Sequence, residues 1–319
     1  MSEPQARRRF WGSEAASGLA LISPTAIYAI LLLAAPLAFV FIASVLTDGY
    51  LSIIPKVQWC NYFGECASYK MVDGTLVETQ QYLGAWSDPV LFSIMMRSLI
   101  VSVLVTLATV ALAYPMAYFI SFNVAPARKG IWLFLITIPF WTSYVIRVFM
   151  WNAILGFSGV INSVLLSINI FGWQLIDKPL DMTYSIQAMV ITLAHSFAPF
   201  AILPIYVALE KIDRSLLEAG QDLGETRFTT FLRVTLPLSM AGVVAAVLIV
   251  FIPTIGDYVT PKLVGGAKFP MIANVIEILM LKGDNKPLGS AVAVSAMLIV
   301  GLISVAFLLV NRRYLRGPK

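Results

Sequence analysis

Residues 216–259 read LLEAGQDLGETRFTTFLRVTLPLSMAGVVAAVLIVFIPTIGDYV. The stretch changes character at Pro237, where a charged, glycine-punctuated half gives way to a nearly unbroken apolar run. A hydrocarbon core about 30 Å thick takes about 20 helical residues to cross, and the run from 238 to 259 supplies them. Five other stretches share that composition: 19–46, 92–122, 131–151, 185–209 and 288–310. Together they predict an all-α, polytopic membrane protein with about six transmembrane helices.

The composition agrees. Of 319 residues, 59% are hydrophobic and 12% charged, with a mean hydropathy of +0.84. That is about half the charge of a typical soluble domain. The net charge of +5 does not point to nucleic acid, because the basic residues are scattered through short polar segments between apolar spans. One histidine and two cysteines cannot form a zinc site of the usual kind, so no metal site is expected. No GxxxxGK[ST] stretch occurs, so a P-loop is absent from the chain.

Lysine and arginine set the orientation. With a cytoplasmic N-terminus, the inner segments hold Arg7, Arg8, Arg9, Arg128, Lys129, Lys211, Arg214, Arg227, Arg233, Arg312, Arg313, Arg316 and Lys319. The outer segments hold only lysines: 56, 70, 178, 262, 268, 282 and 286. Both termini are therefore expected in the cytoplasm. Residues 1–18 form an N-terminal cytoplasmic segment and 19–319 the transmembrane unit. The first span is too long for a signal-peptide core and is expected to remain as an uncleaved start-transfer helix.

The outer segment 47–91 contains both cysteines, in CNYFGEC. The spacing of Cys60 and Cys66 permits a small bridged loop on the side where disulfides persist, the other reading being two thiols in a folded loop. Two further outer pieces, INSVLLSI and MIANVIEILML, are too short to span and are expected in the interface or over the outer mouth.

The longest inner loop is 210–236. Leu216, Ala219, Gly220 and Leu223 fall on one helical face, with Glu218, Gln221, Asp222 and Glu225 on the other. Ser215 and Glu218 match a capping box, and Gly224 is placed for a left-handed helix stop. A second short helix from about Thr226 would gather Phe228, Phe231 and Leu232. Two readings stand for this helix, glycine turn and helix: an amphipathic pair on the membrane surface, or a knob that docks into a groove on a soluble partner.

This loop resembles the EAA signature of permease subunits of bacterial ABC importers: Glu-Ala-Ala, three residues, Gly, nine residues, Ile, one residue, Leu-Pro. Here Glu218, Ala219, Gly220, Gly224, Val234, Leu236 and Pro237 stand at those places. Gly220 replaces alanine and Val234 replaces isoleucine. The glycine weakens the helix by up to about 1 kcal/mol relative to alanine and leaves more room for a partner. AYPMAYFI from Ala113, IPFWTSYVIRVFMW from Ile138 and IPTIGDYVTPKLVGG from Ile252 extend the resemblance to the spermidine/putrescine type, from about Ser93 onward. The 47–91 loop is longer than is usual there.

The resemblance implies a permease of an ATP-driven importer, with Glu218, Ala219, Gly220, Asp222 and Gly224 as coupling residues. It implies a second, homologous permease, two copies of a cytoplasmic ABC ATPase that use ATP and Mg, and an external solute-binding protein. The chain itself would be no enzyme and hold no cofactor. Its place would be the bacterial inner membrane, its solute a polyamine or a related small organic molecule, its mechanism alternating access. The alternative is an ion-gradient-driven secondary transporter or channel, which calls for carboxylates deep in the spans.

Ionisable residues within spans point to function. Asp257, after Pro253 and Gly256, either attracts a cationic solute or pairs with an arginine or a neighbouring subunit. Arg97 and Arg147 are expected to snorkel at outer span ends, with Arg147 an alternative partner for Asp257. Trp141, Tyr144 and Tyr258 offer aromatic faces to a cation. His195 is expected to be a hydrogen-bonded packing residue.

Overall fold

The computed structural model describes residues 14–49, 53–72, 75–170, 173–174, 176–266, 268–282 and 285–315. The basic positions Arg7, Arg8, Arg9, Arg316 and Lys319 lie outside them. Six helical segments are long and apolar enough to cross a membrane, the third of them over Tyr144–Ser167 instead of the expected 131–151.

The first, α1 (Glu14–Ala43), is exposed along most of its length and contacts the rest of the chain chiefly through the last long helix. Leucines 21, 31, 32 and 33 all stand open, as expected of a helix whose solvent is lipid. The described residues of the segment expected as a loop at 47–91 contribute to two antiparallel hairpins. Strand β1 (Leu46–Asp48) pairs with β2 (Ile53–Val57), and β3 (Glu65–Val72) with β4 (Thr75–Leu83). A 3-10 turn at Trp59–Asn61 joins the two hairpins. Alternating β-branched and polar residues such as Thr75, Val77 and Thr79 favour extended chain here, and no helical period runs through the segment.

Cys60 and Cys66 are disulfide-bonded. Beside them the fully buried Asn61 donates to the carbonyls of Ser44 and Leu46, and its Oδ1 accepts from Tyr82 Oη at 2.7 Å. These bonds tie the hairpins to the end of α1. Trp86 donates to Ser295 Oγ, fixing them to the last span.

Helix α2 (Pro89–Asn123) starts on an Asp88 cap and is longer than expected. The third crossing departs from expectation. Instead of one helix over 131–151, α3 (Pro126–Thr137) stops, a 3-10 turn follows at Ile138–Trp141, and α4 (Tyr144–Leu155) begins afresh. Pro139 has no N–H for an α-helical bond and its ring crowds the preceding turn, which closes as a 3-10 turn while Ile138 keeps helical angles. Lys129 in α3 meets Glu210, whereas Leu155 packs with Ala188 and Met189. The broken rod therefore runs from one end of the bundle to the other.

Helix α5 (Val160–Ser167) and the short strands β5 (Asn169–Ile170) and β6 (Trp173–Gln174) follow at the hairpin end. Then come α6 (Ile186–Glu210), α7 (Arg214–Asp222) and α8 (Arg227–Thr230). A π turn (Phe231–Thr235) runs straight into α9 (Leu236–Ile255). The chain returns through α10 (Val259–Leu263), α11 (Ile272–Glu277), a second π turn (Ile278–Lys282), α12 (Lys286–Val310) and α13 (Arg312–Leu315).

The centre is a three-helix core of α2, α6 and α9, with Val101, Val105, Leu193, Ile205 and Val250 fully buried. Without a hydrophobic drive between helices in lipid, close packing holds it together. A Cβ on Gly242 of α9 would lie 2.5 Å from both Ala208 Cβ and the Pro204 carbonyl of α6, so this crossing requires glycine. Around α11 the chain folds back inward: Ile272 N donates to Ser98 Oγ, and Arg97 reaches the Pro270 carbonyl at 2.9 Å. The short apolar piece at 271–281 is thus packed against α2 and α12, and Arg97 is bound to backbone instead of standing free at an interface.

Candidate functional site

Two places gather the residues singled out from sequence: the 211–235 loop, and a cavity at the break between α3 and α4.

In the loop, α7 begins on Asp213, whose Oδ1 accepts from Ser215 N at 3.0 Å. The cap is therefore Asp213, in place of the expected box of Ser215 and Glu218; an ionised carboxylate is the stronger acceptor and suits the positive end of the helix. That bond to Ser215 N–H holds Asp213 below its usual carboxylate range. The helix ends at Leu223, and Gly224 takes φ +86°, the left-handed stop read from sequence. After it, Thr226 caps α8 through Thr229 N, and Arg233 pairs with Glu225 at 2.8 Å.

Gly220 faces Thr230: a Cβ there would meet Thr230 Cγ2 at 3.2 Å and Oγ1 at 3.3 Å. The space released by glycine is taken up inside the loop, by α8, and not kept for a partner. Glu218, Ala219 and Asp222 point outward and are exposed. So are Leu216 and Leu223, the latter at 86%. Among the described residues, Leu216, Ala219 and Leu223 of the α7 stripe remain exposed.

The expected cluster of Phe228, Phe231 and Leu232 divides. Phe228 and Leu232 are exposed, while Phe231 turns inward to meet Tyr114 and Tyr118 edge to face, at 5.7 and 5.8 Å. Tyr114 also bonds Ser239 Oγ at 2.8 Å. The loop is thereby bolted to α2 by aromatic rings, a link carried in sequence only by the i, i+4 tyrosines of AYPMAYFI. Next to it the nearly buried Lys129 pairs with Glu210 at 2.6 Å, and Glu210 accepts from Ser121 Oγ. Arg214 donates to the Ser121 carbonyl. These bonds join α2, α3 and α6 where the loop leaves the bundle.

The second place is a cavity of about 420 Å³. Irregular backbone at membrane depth is tolerated where it lines such a space. Of the residues expected on a solute path, Tyr144, Arg147, Asp257 and Tyr258 meet here. Trp141 does not: it lies in the 3-10 turn, is 78% exposed, and its ring packs on Phe134 at 6.0 Å between centroids.

Asp257 is buried, and its two carboxylate oxygens accept from Val259 N and Thr260 N, both at 3.2 Å. It closes the turn after α9, and no ion pair joins it to Arg147 among the described residues. Tyr144 Oη bonds Thr260 Oγ1. Arg147 lies over the rings of Phe140 and Tyr144, 5.3 and 5.9 Å from their centroids, with one weak bond to the Ser196 carbonyl at 3.5 Å. Ser196, unremarked in sequence, borders the same cavity. His195 accepts from Trp151 Nε1 at 3.1 Å, the hydrogen-bonded packing expected of it.

Residues 74–316 match the family described as "Binding-protein-dependent transport system inner membrane component". The Escherichia coli (strain K12) spermidine/putrescine transport system permease protein PotB is 34% identical over 220 residues, 69% of this chain and 78% of that one. The Escherichia coli inner membrane ABC transporter permease protein YdcU is 27% identical over 271 residues, 79% of this chain and 86% of its own. Among solved structures, a chain of a bacterial alginate ABC transporter in complex with an alginate pentasaccharide-bound periplasmic protein superposes with a TM-score of 0.68. It does so at 16% identity, over 98% of this chain and 100% of that one.

Proposed function

This chain belongs to the family of inner membrane components of binding-protein-dependent transport systems, and from that membership we propose how it works. It is the permease subunit of an ATP-driven importer that moves a polyamine or a related small organic solute by alternating access. The likeness to spermidine/putrescine permeases supports the solute class. In this reading α7, with Glu218, Ala219, Gly220, Asp222 and Gly224, is the coupling helix that enters a groove on a cytoplasmic ABC ATPase. ATP and Mg act in that partner. A second, homologous permease completes the pathway, a second ATPase serves it, and a binding protein delivers solute to the hairpin end. Both termini and the 211–235 loop face the cytoplasm. Family membership takes the place of the ion-gradient alternative, and Asp257, the only carboxylate at the cavity among the described residues, is already engaged by backbone.

The observation that carries the reading is the open apolar stripe of α7. A short capped helix, turned back at Gly224 and bolted to α2 through Phe231, exposes Leu216 and Leu223 although the chain has apolar surfaces nearby to bury them. Such a face suits a helix-in-groove contact. Pulling it moves α2 through the tyrosines and α9 through the continuous π turn.

Replacing Glu218 by Ala and Gly224 by Val, in the assembled transporter, tests the assignment. Solute-stimulated ATP hydrolysis is expected to fall about tenfold or more while the subunits still assemble. Unchanged stimulation would remove the coupling role from this loop.

A further inference from the structure

We infer that the cavity at the break in the third crossing is a solute subsite with a seat for a carboxylate, formed by the Arg147 guanidinium and the Ser196 hydroxyl. The inference rests on the importer reading above and narrows its solute: an acidic group travels together with the amine.

A guanidinium has five N–H donors and no acceptor. Among the described residues Arg147 engages one of them, at 3.5 Å, and its buried Nε has no partner. Ser196 faces it from α6 at 2% exposure, and its Oγ is likewise buried and unpartnered. A cation and a hydroxyl left unsatisfied at membrane depth are costly. Both border one cavity of about 420 Å³.

The two orphans share a need for an acceptor. A carboxylate accepts two parallel bonds from a guanidinium and has lone pairs left for a hydroxyl. Asp257 does not fill that role, because both of its oxygens are turned to the backbone of 259 and 260. The acidic side of the cavity is therefore satisfied and the basic side is not. A bare polyamine would bring only donors to Arg147 and a like charge beside it. An amino acid, or an amine joined to a carboxyalkyl group, supplies the missing acceptor and leaves its ammonium for the exposed ring of Tyr258.

The test uses the whole transporter in nanodiscs without its binding protein, so that solute meets the membrane pathway directly. Ornithine and putrescine differ by one carboxylate and serve as one probe pair; octopine and spermidine serve as the second. Calorimetric titration is expected to show the carboxylated member of each pair binding at least about tenfold more tightly. Arg147→Gln and Ser196→Ala should each shrink that preference, and Arg147→Lys should keep part of it. Tighter binding of putrescine and spermidine, or the same preference in Arg147→Gln as in the wild type, overturns the seat. So does an Arg147→Gln transporter that loses only thermal stability, which would assign Arg147 to a carboxylate of the second permease. Failure of the importer reading is distinct: the complete complex would then show no ATP hydrolysis stimulated by loaded binding protein.

Discussion

Lys129 shows how one side chain can hold an end of the bundle. It is nearly buried, and its ammonium has both Glu210 oxygens within 2.9 Å. Removing the lysine leaves a carboxylate facing a gap between α3 and α6. Lys129→Met is expected to lower stability by about 1–2 kcal/mol, less than for a fully buried pair because Glu210 keeps 42% side-chain exposure. Lys129→Met with Glu210→Gln should recover most of the loss. The thermal midpoint of the purified transporter reads both. In sequence Lys129 stands only among the residues that set orientation, since nothing local tells a lysine which carboxylate, 81 positions away, will face it. Gly224 is the opposite case: its left-handed turn follows from residues on either side of it and was legible at once.

At the scale of elements, the hairpins and the broken third crossing carry the departures. The apolar periodicity of 131–151 extends across Pro139, so composition reads one helix where the backbone makes two. The 44–88 segment needed its long-range partners, Asn61 against Ser44 and Trp86 against Ser295, before its strands had anything to pack upon. Its disulfide was open in sequence as one of two readings and is formed. Cys60→Ser with Cys66→Ser is expected to loosen the hairpins by about 2 kcal/mol, seen as faster proteolysis within 53–83. The six spans should keep their helical content, because Asn61 still anchors the segment to α1. Loss of helix in circular dichroism would show the bridge to be structural for the bundle as well.

For the whole molecule, the expected arrangement is a permease half whose α1 and outer faces meet lipid while the α2, α6 and α9 core carries motion between loop and cavity. The proposed orientation has a direct check. Alkaline phosphatase inserted near residue 74 is expected to be active, and a fluorescent protein fused after Lys319 is expected to fold and fluoresce. Inactive phosphatase with a dark C-terminal fusion would invert the topology and move the 211–235 loop away from any cytoplasmic ATPase.

The sequence by itself determined five of the six spans, the 211–235 loop with its glycine stop, and the family, because hydropathy over twenty residues and motif spacing are properties of contiguous chain. The tertiary structure decided what those elements do to one another. It turned Asp257 into a backbone cap and set Trp141 outside the cavity. It assigned the space at Gly220 to Thr230, and left the Arg147 Nε and the Ser196 hydroxyl without a partner among the described residues. Each of these depends on which distant group occupies the neighbouring volume, and in a lipid-embedded bundle that is set by close packing between helices rather than by any pattern along one of them.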